Sequence, residues 1–330
     1  MPPPSTDVPH PQEADYEDLL SLWADLQAGL SMVLAQPRHT ADLARKIRQY
    51  DLWMQNLLRQ DTDTGLYLLF QLATNSAVGY SALHALVCAV LCHVTAEELK
   101  LKPVERDSLV RAAMTMNIGM TTLQDTLALQ TNKPSDAQQA LIRGHASASA
   151  TLLRAMGVSD YLWLDIVINH HGPATSKAEF QQLEPVYRLT HILGVVDRYA
   201  AMVSPRKSRT GRSMAETVRS MLANVQVRND PVGAALIRAI GQCPPGTFVA
   251  MDNGDTALVL RRSATANQPL VATLLNAKNQ PFIPPRLHRT STSAPKVQSA
   301  LPANTVKTRI NHQRLLRQGI QADRGGPQLD

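Results

Sequence analysis

Asp165–Pro173, DIVINHHGP, is the stretch on which the reading of this chain turns. Two adjacent histidines, His170 and His171, close an apolar run that reads as a helix, and Gly172-Pro173 stops it. Neighbouring helical residues point about 100° apart, so both rings can meet one ion only where a helix frays. A helix end closed by Gly-Pro is such a place. For an isolated His-His pair the plain alternative is a polar helix terminus with both rings in water. The company of this pair raises it: His84, His145 and Asp197 each stand on a separate predicted helix.

The 330 residues are enough for one or two domains and a sizeable core. A hydrophobic content of 44% with only 4% aromatics points to a mostly helical globular protein. Three cysteines (Cys88, Cys92, Cys243) make no disulfide framework, so a reducing cytoplasm is the expected compartment. The N-terminus lacks the basic-then-apolar pattern of a signal peptide. The most apolar stretch, Ala82–Cys92, is too short to span a bilayer, so no membrane partner is expected. The net charge of +6 belongs to the tail: residues 286–330 hold eight Lys/Arg and two Asp/Glu, which leaves the rest neutral.

Residues 1–15 are Pro-rich and acidic and are expected to be disordered. Residues 16–79 form an N-terminal helical segment, with helices predicted over Tyr16–Ala35, Thr40–Arg59 and Gly65–Thr74. Asp61–Thr64, DTDT, reads as the cap of the last of these. A helical domain follows over 80–241. In its first helix His84, Cys88 and Cys92 share one face. That face could hold zinc, but small buried cysteines among leucines and valines are more often core. From Gly241 the character changes. Thr247–Met251 and Thr256–Leu260, joined by Asn253-Gly254, read as a hairpin, and Leu270–Leu275 as a third strand. Residues 242–285 are therefore expected as a small β extension, and 286–330 as a basic disordered tail. Within that tail Val306–Ile320 could form a helix on a partner.

Taken in order, these landmarks resemble the HD-GYP phosphohydrolases. YSALHALVCAVLCHVTAEELKLKPVERDSLVRAAMTMNIGM is similar to the family's opening, in which a metal-binding His on one helix precedes a His-Asp doublet within HDIGK. IRGHASASATLL, with His145, resembles the following histidine; INHHGP resembles the His-His pair; ILGVVDRYAAMVSPRKSR, with Asp197, resembles the closing helix. CPPGTFVAMDNGDTALVL looks like the small β extension of many members. The resemblance covers roughly residues 80–275 and implies an all-α, HD-type helical bundle followed by a β appendage. It also implies a metal-ligand set of His84, His145, His170, His171 and Asp197.

The departures fall on the chemistry. The shared Ile118-Gly119 fixes the register, so Met116 replaces the family's His, Asn117 its Asp and Met120 its Lys. No Gly-Tyr-Pro follows His171. A carboxylate can bridge two ions, as the family's doublet Asp does; an amide cannot. A thioether is a poor ligand for Mn, Fe(II) or Mg. The plain reading of MTMNIGM is a buried helix end in which Met114, Met116 and Met120 fill core. Asp125, where the family has a loop Asp, reads more simply as an N-cap of the next helix. Arg206, Lys207 and Arg209, with Arg212, stand where family members carry bases facing substrate phosphates; a solvated basic loop is the alternative.

The expected function is a degenerate HD-GYP-like signalling protein, related to cyclic di-GMP phosphodiesterases but weak or inactive. It would act by binding a cyclic dinucleotide or a signalling protein. The alternative is an active phosphohydrolase with one divalent ion (Zn, Mn or Fe) on His145, His170 and His171. If the site is fully degenerate, no ion is held. Nucleic-acid binding through the basic tail lacks aromatic interleaving and ranks last.

Overall fold

The structure is a computed structural model that describes residues 11–75, 79–172, 180–204, 206–207, 214–224, 230–263, 265, 267–302 and 305–323. Arg209 and Arg212, and the loop from Pro173 to 179, lie outside the described residues. The chain is mostly helical, with a C-terminal antiparallel sheet of five strands.

The N-terminal helices are α1 (Pro11–Ala35), α2 (Leu43–Gln60) and α3 (Thr62–Asn75). Residues 11–15, expected to be disordered, are the first turn of α1; Pro11 at the helix start needs no N–H partner. Asp61 accepts hydrogen bonds from the Thr64 N–H (3.0 Å) and hydroxyl (2.8 Å), which caps α3. Then come α4 (Tyr80–Glu98), α5 (Pro103–Thr115), α6 (Thr121–Leu129), α7 (Asp136–Ala155), α8 (Tyr161–Asn169), α9 (Pro185–Val203), α10 (Met214–Ala223) and α11 (Pro231–Ile240).

α4 is the axis of the bundle. It is apolar on every side, and every residue from Tyr80 to Ala96 is buried. By length and composition alone it could cross a membrane. Here α1, α3, α5, α6, α9 and α11 surround it. The first N–H groups of α4 have no side-chain cap of their own. Asp125 supplies one from across space, accepting from the Ser81 N–H at 2.7 Å. Asp125 lies inside α6 and so does not cap its own helix, contrary to the sequence reading.

The sheet has the order β4-β3-β2-β1-β5: β1 (Phe248–Met251), β2 (Thr256–Arg261), β3 (Leu270–Leu275), β4 (Pro281–Arg289) and β5 (Val297–Leu301). The β1–β2 hairpin turns at Asn253-Gly254, where Gly254 takes φ 86°, a conformation open to glycine. The expected disordered tail is corrected here. Its described residues form the end of β4, then β5 and a final helix, α12 (His312–Asp323). β5 pairs with the free edge of β1, and α12 seats Leu315 and Leu316 against Phe248, Leu258, Leu260 and Tyr67. The helix expected on a partner thus docks on the protein's own sheet. Bidentate hydrogen bonds from Arg261 to Asp61 (2.8 and 3.1 Å) and an ion pair between Arg262 and Asp63 tie the sheet to α3.

Candidate metal centre

α7 begins with a capping box, in which the Ser135 hydroxyl accepts from the Gln138 N–H while the Gln138 side chain accepts from the Ser135 N–H. This fixes the start of the helix that carries His145. α8 starts on an Asp160 cap and ends at His170, the first residue past its helical run, with His171 next. The frayed end is what lets both rings turn to one point. The ring centroids of His145, His170 and His171 lie 5.0, 5.0 and 4.1 Å apart, and one nitrogen of each lies within 4.8 Å of the others. His145 and His170 are buried; His171 is exposed.

The tautomers follow from the partners. Nδ1 of His145 lies 2.5 Å from the Ile142 carbonyl, and Nδ1 of His170 lies 2.7 Å from the Val167 carbonyl. A carbonyl only accepts, so both Nδ1 atoms carry the proton. Each Nε2 is then left with a lone pair, and the two Nε2 atoms face each other at 3.1 Å. Burial, with repulsion from His171, holds the His170 pKa down at about 4; burial also lowers that of His145. Two buried acceptors pointed at each other offer a place for a cation or a shared proton between them. Nitrogens bound to one zinc-like ion, each ~2.1 Å from it, sit roughly 3.0–3.4 Å apart. The 3.1 Å between the His145 and His170 nitrogens matches that spacing, and His171 stands near enough to offer a third nitrogen.

His84 and Asp197 form the second group, with Cys88. His84 Nε2 lies 2.9 Å from Asp197 Oδ1 and 3.6 Å from Cys88 Sγ. Burial would raise the Asp197 carboxyl, but the hydrogen bond from His84 and the neighbouring His84, His170 and His171 rings hold it at about 2. Its negative charge therefore reaches both groups. Yet this half is already satisfied, because the His84 ring donates Nε2–H to the carboxylate. Were Nε2 to ligate metal instead, the proton would move to Nδ1, which is buried with no partner among the described residues. Burial and Asp197 together keep the thiols of Cys88 and Cys92 well above the usual range, which opposes a thiolate ligand. The two halves differ in readiness for metal.

Met116, Asn117 and Met120 sit as follows. Met116 is buried in the core beside Met114. Asn117 is half-buried at the start of a 3-10 turn, Ile118–Met120, and its carbonyl accepts from the Met120 N–H at 2.9 Å. Met120 does not fill core as the sequence reading expects; it is half-exposed and lines an open cleft. Arg206 is engaged at home: it lies 4.9 Å over the Tyr80 ring and donates to its hydroxyl at 2.8 Å, and Tyr80 in turn stacks on His84. Lys207 is exposed, its backbone N–H bound to Ala128. The sequence reading misses Tyr80 and separates Cys88 from His84 in role. The signal was present, since Tyr80, His84 and Cys88 stand four residues apart on one face.

No family model matches the chain. A curated protein of Pseudomonas aeruginosa named as a cyclic di-GMP phosphodiesterase is 26% identical to it over 274 residues. That match covers 81% of this chain and 62% of the relative, so the chain spans less than two thirds of that protein's length.

Proposed function

We propose that this chain is a degenerate HD-type signalling protein, akin to the metal-dependent cyclic di-GMP phosphodiesterases, that holds one divalent ion on His145, His170 and His171. It binds a cyclic dinucleotide and hydrolyses it weakly or not at all, and it works in the cytoplasm. The observation that carries this reading is the pair of unprotonated Nε2 atoms of His145 and His170 at 3.1 Å. The bundle of helices around α4, with His84, His145, the His170-His171 pair and Asp197 on separate elements, supports an HD-type architecture. The similarity to the Pseudomonas aeruginosa protein supports the ligand class. The weak activity follows from the missing carboxylate at Asn117 and the buried thioether at Met116.

A bound ion would supply a Lewis acid for a phosphoryl oxygen and an acidified water. The chain's own part is to hold imidazole Nε2 atoms deprotonated, through the Ile142 and Val167 carbonyls, and to set the Asp197 charge beside them. Arg206, committed to Tyr80, braces the second group, which leaves Lys207 and Arg209 as candidate phosphate contacts.

The test is metal content by mass spectrometry with a cyclic di-GMP hydrolysis assay in added manganese. One ion per chain and slow or absent turnover are expected. Two ions with robust, chelator-sensitive turnover would replace this reading by that of an active phosphodiesterase. No ion under saturating zinc would remove the metal from it.

A further inference from the structure

Beside His145 lies an open cleft of about 810 Å³ whose other wall comes from the N-terminal segment, for which the sequence offers no motif. Pro37, Arg38 and His39 form a short 3-10 turn after α1, and this turn faces the Ile118–Met120 turn and α7 across the cleft. Among the described residues no carboxylate lines it. Its lining includes Leu34, Leu123 and Leu141, with Thr121, Thr122 and the exposed Arg38. Leu141 is 61% exposed, which leaves an apolar face without a partner in the fold. The volume is that of a small-molecule site.

A second observation is independent of the lining chemistry. Gly144 stands inside α7, one residue before His145, where glycine costs about 1 kcal/mol of helix stability relative to alanine. Its backbone needs no left-handed conformation, and a Cβ added there would meet no atom within 4 Å. Packing within the fold therefore does not demand a glycine. What glycine leaves is room in the cleft beside the metal-binding histidine.

We propose that this cleft is a purine-nucleotide subsite built jointly by the N-terminal segment and α7, with Arg38 and His39 donating to phosphate oxygens and Leu123 and Leu141 against the base. This rests on the nucleotide reading above and deepens it by naming where the ligand lies. Arg is suited to phosphate because its guanidinium forks onto two oxygens, and an acid-free rim leaves that interaction unopposed. The apolar walls suit the faces of a flat ring. The N-terminal segment then acts as one jaw of the site and not only as a helical support.

The experiment is equilibrium dialysis of the full chain against labelled cyclic di-GMP and, separately, GMP, with zinc content measured on the same samples. The variants are Gly144→Phe, which fills the cleft from a position with open space, Gly144→Ala, which adds a single methyl there, and Arg38→Glu on the exposed rim. Gly144→Ala should melt higher than wild type and bind nucleotide more weakly, though less weakly than Gly144→Phe. Gly144→Phe and Arg38→Glu should each weaken binding by about tenfold or more, with zinc content unchanged. Nucleotide binding at wild-type strength in both variants would overturn the cleft while leaving the proposed function standing. Zinc uptake by the wild type with no binding of either nucleotide would overturn the cleft and the nucleotide part of that function together. Loss of zinc along with nucleotide in either variant would assign the effect to the histidines and overturn the cleft.

Discussion

The hydroxyl of Tyr67 lies 2.5 Å from Nδ1 of His312, 245 residues further along the chain. Tyr67 is wholly buried on α3, and His312 opens α12, so this contact locks the last helix onto the first part of the fold. Burial lowers the His312 pKa and favours the neutral ring that such a hydrogen bond uses. Leu315 and Leu316 extend the same seat over the sheet.

Removal of the residues from 286 onward should therefore destabilise the protein. It would strip β5 from β1 and uncover Phe248, Leu258 and Leu260. Thermal melting should show a midpoint many degrees lower, with aggregation. The point variant Leu316→Ala should cost roughly 2–3 kcal/mol in urea denaturation, as for other buried leucines.

Zinc titration of the wild type should saturate at one ion per chain. His145→Ala and His170→Ala should each abolish tight binding without unfolding the bundle. Affinity should fall as pH drops towards 4, where the buried His170 imidazole takes a proton, because imidazoles ligate only when deprotonated. A competing chromophoric chelator reads all three.

The His84–Asp197 pair should behave as structure. Asp197→Ala leaves a buried imidazole without its partner and should lower stability by about 1–3 kcal/mol in urea denaturation. The zinc stoichiometry should stay at one, with weaker affinity because a nearby negative charge is gone. A fall to zero would make Asp197 a ligand.

Restoring the doublet with Met116→His and Asn117→Asp should raise metal content towards two ions per chain. In chelator the same variant should melt below the wild type, since Met116 is buried and an imidazole there lacks an assured partner. Added manganese should recover the difference. Hydrolysis should lag behind metal content while Met120 and the loop after His171 remain unchanged.

Acid should destabilise the metal-free chain early. Burial holds His93 and His170 at about 4, below the ordinary 6.5. Between those values the unfolded chain binds protons that the folded chain refuses, so stability present above pH 6.5 is lost as pH falls towards 4. Melting curves in chelator should drop across that window, and His93→Gln, neutral throughout, should flatten part of the slope.

What the sequence determined by itself was local. The run from Tyr80 to Ala96 is apolar on every side, and such a helix must be buried. Ser135 with Gln138 announces the start of α7, and Asn253-Gly254 announces the β1–β2 hairpin. The His170-His171 pair at a helix end was likewise visible, because adjacent rings need a frayed terminus to converge. Each of these signals lies within a few residues of what it specifies.

The tertiary structure decided everything that joins distant residues. β5 closes on β1 with no hairpin signal between them, and α12 finds its partner surface in the protein's own sheet. Asp125 caps a helix 44 residues earlier. The five candidate ligands divide into an apposed histidine group and a closed His84–Asp197 pair, a division set by which backbone carbonyls lie beside each Nδ1. Arg38 reaches the cleft at His145 only because the turn after α1 faces α7. Hydrogen-bond partners and cleft walls are properties of packing, and no spacing along the chain encodes them.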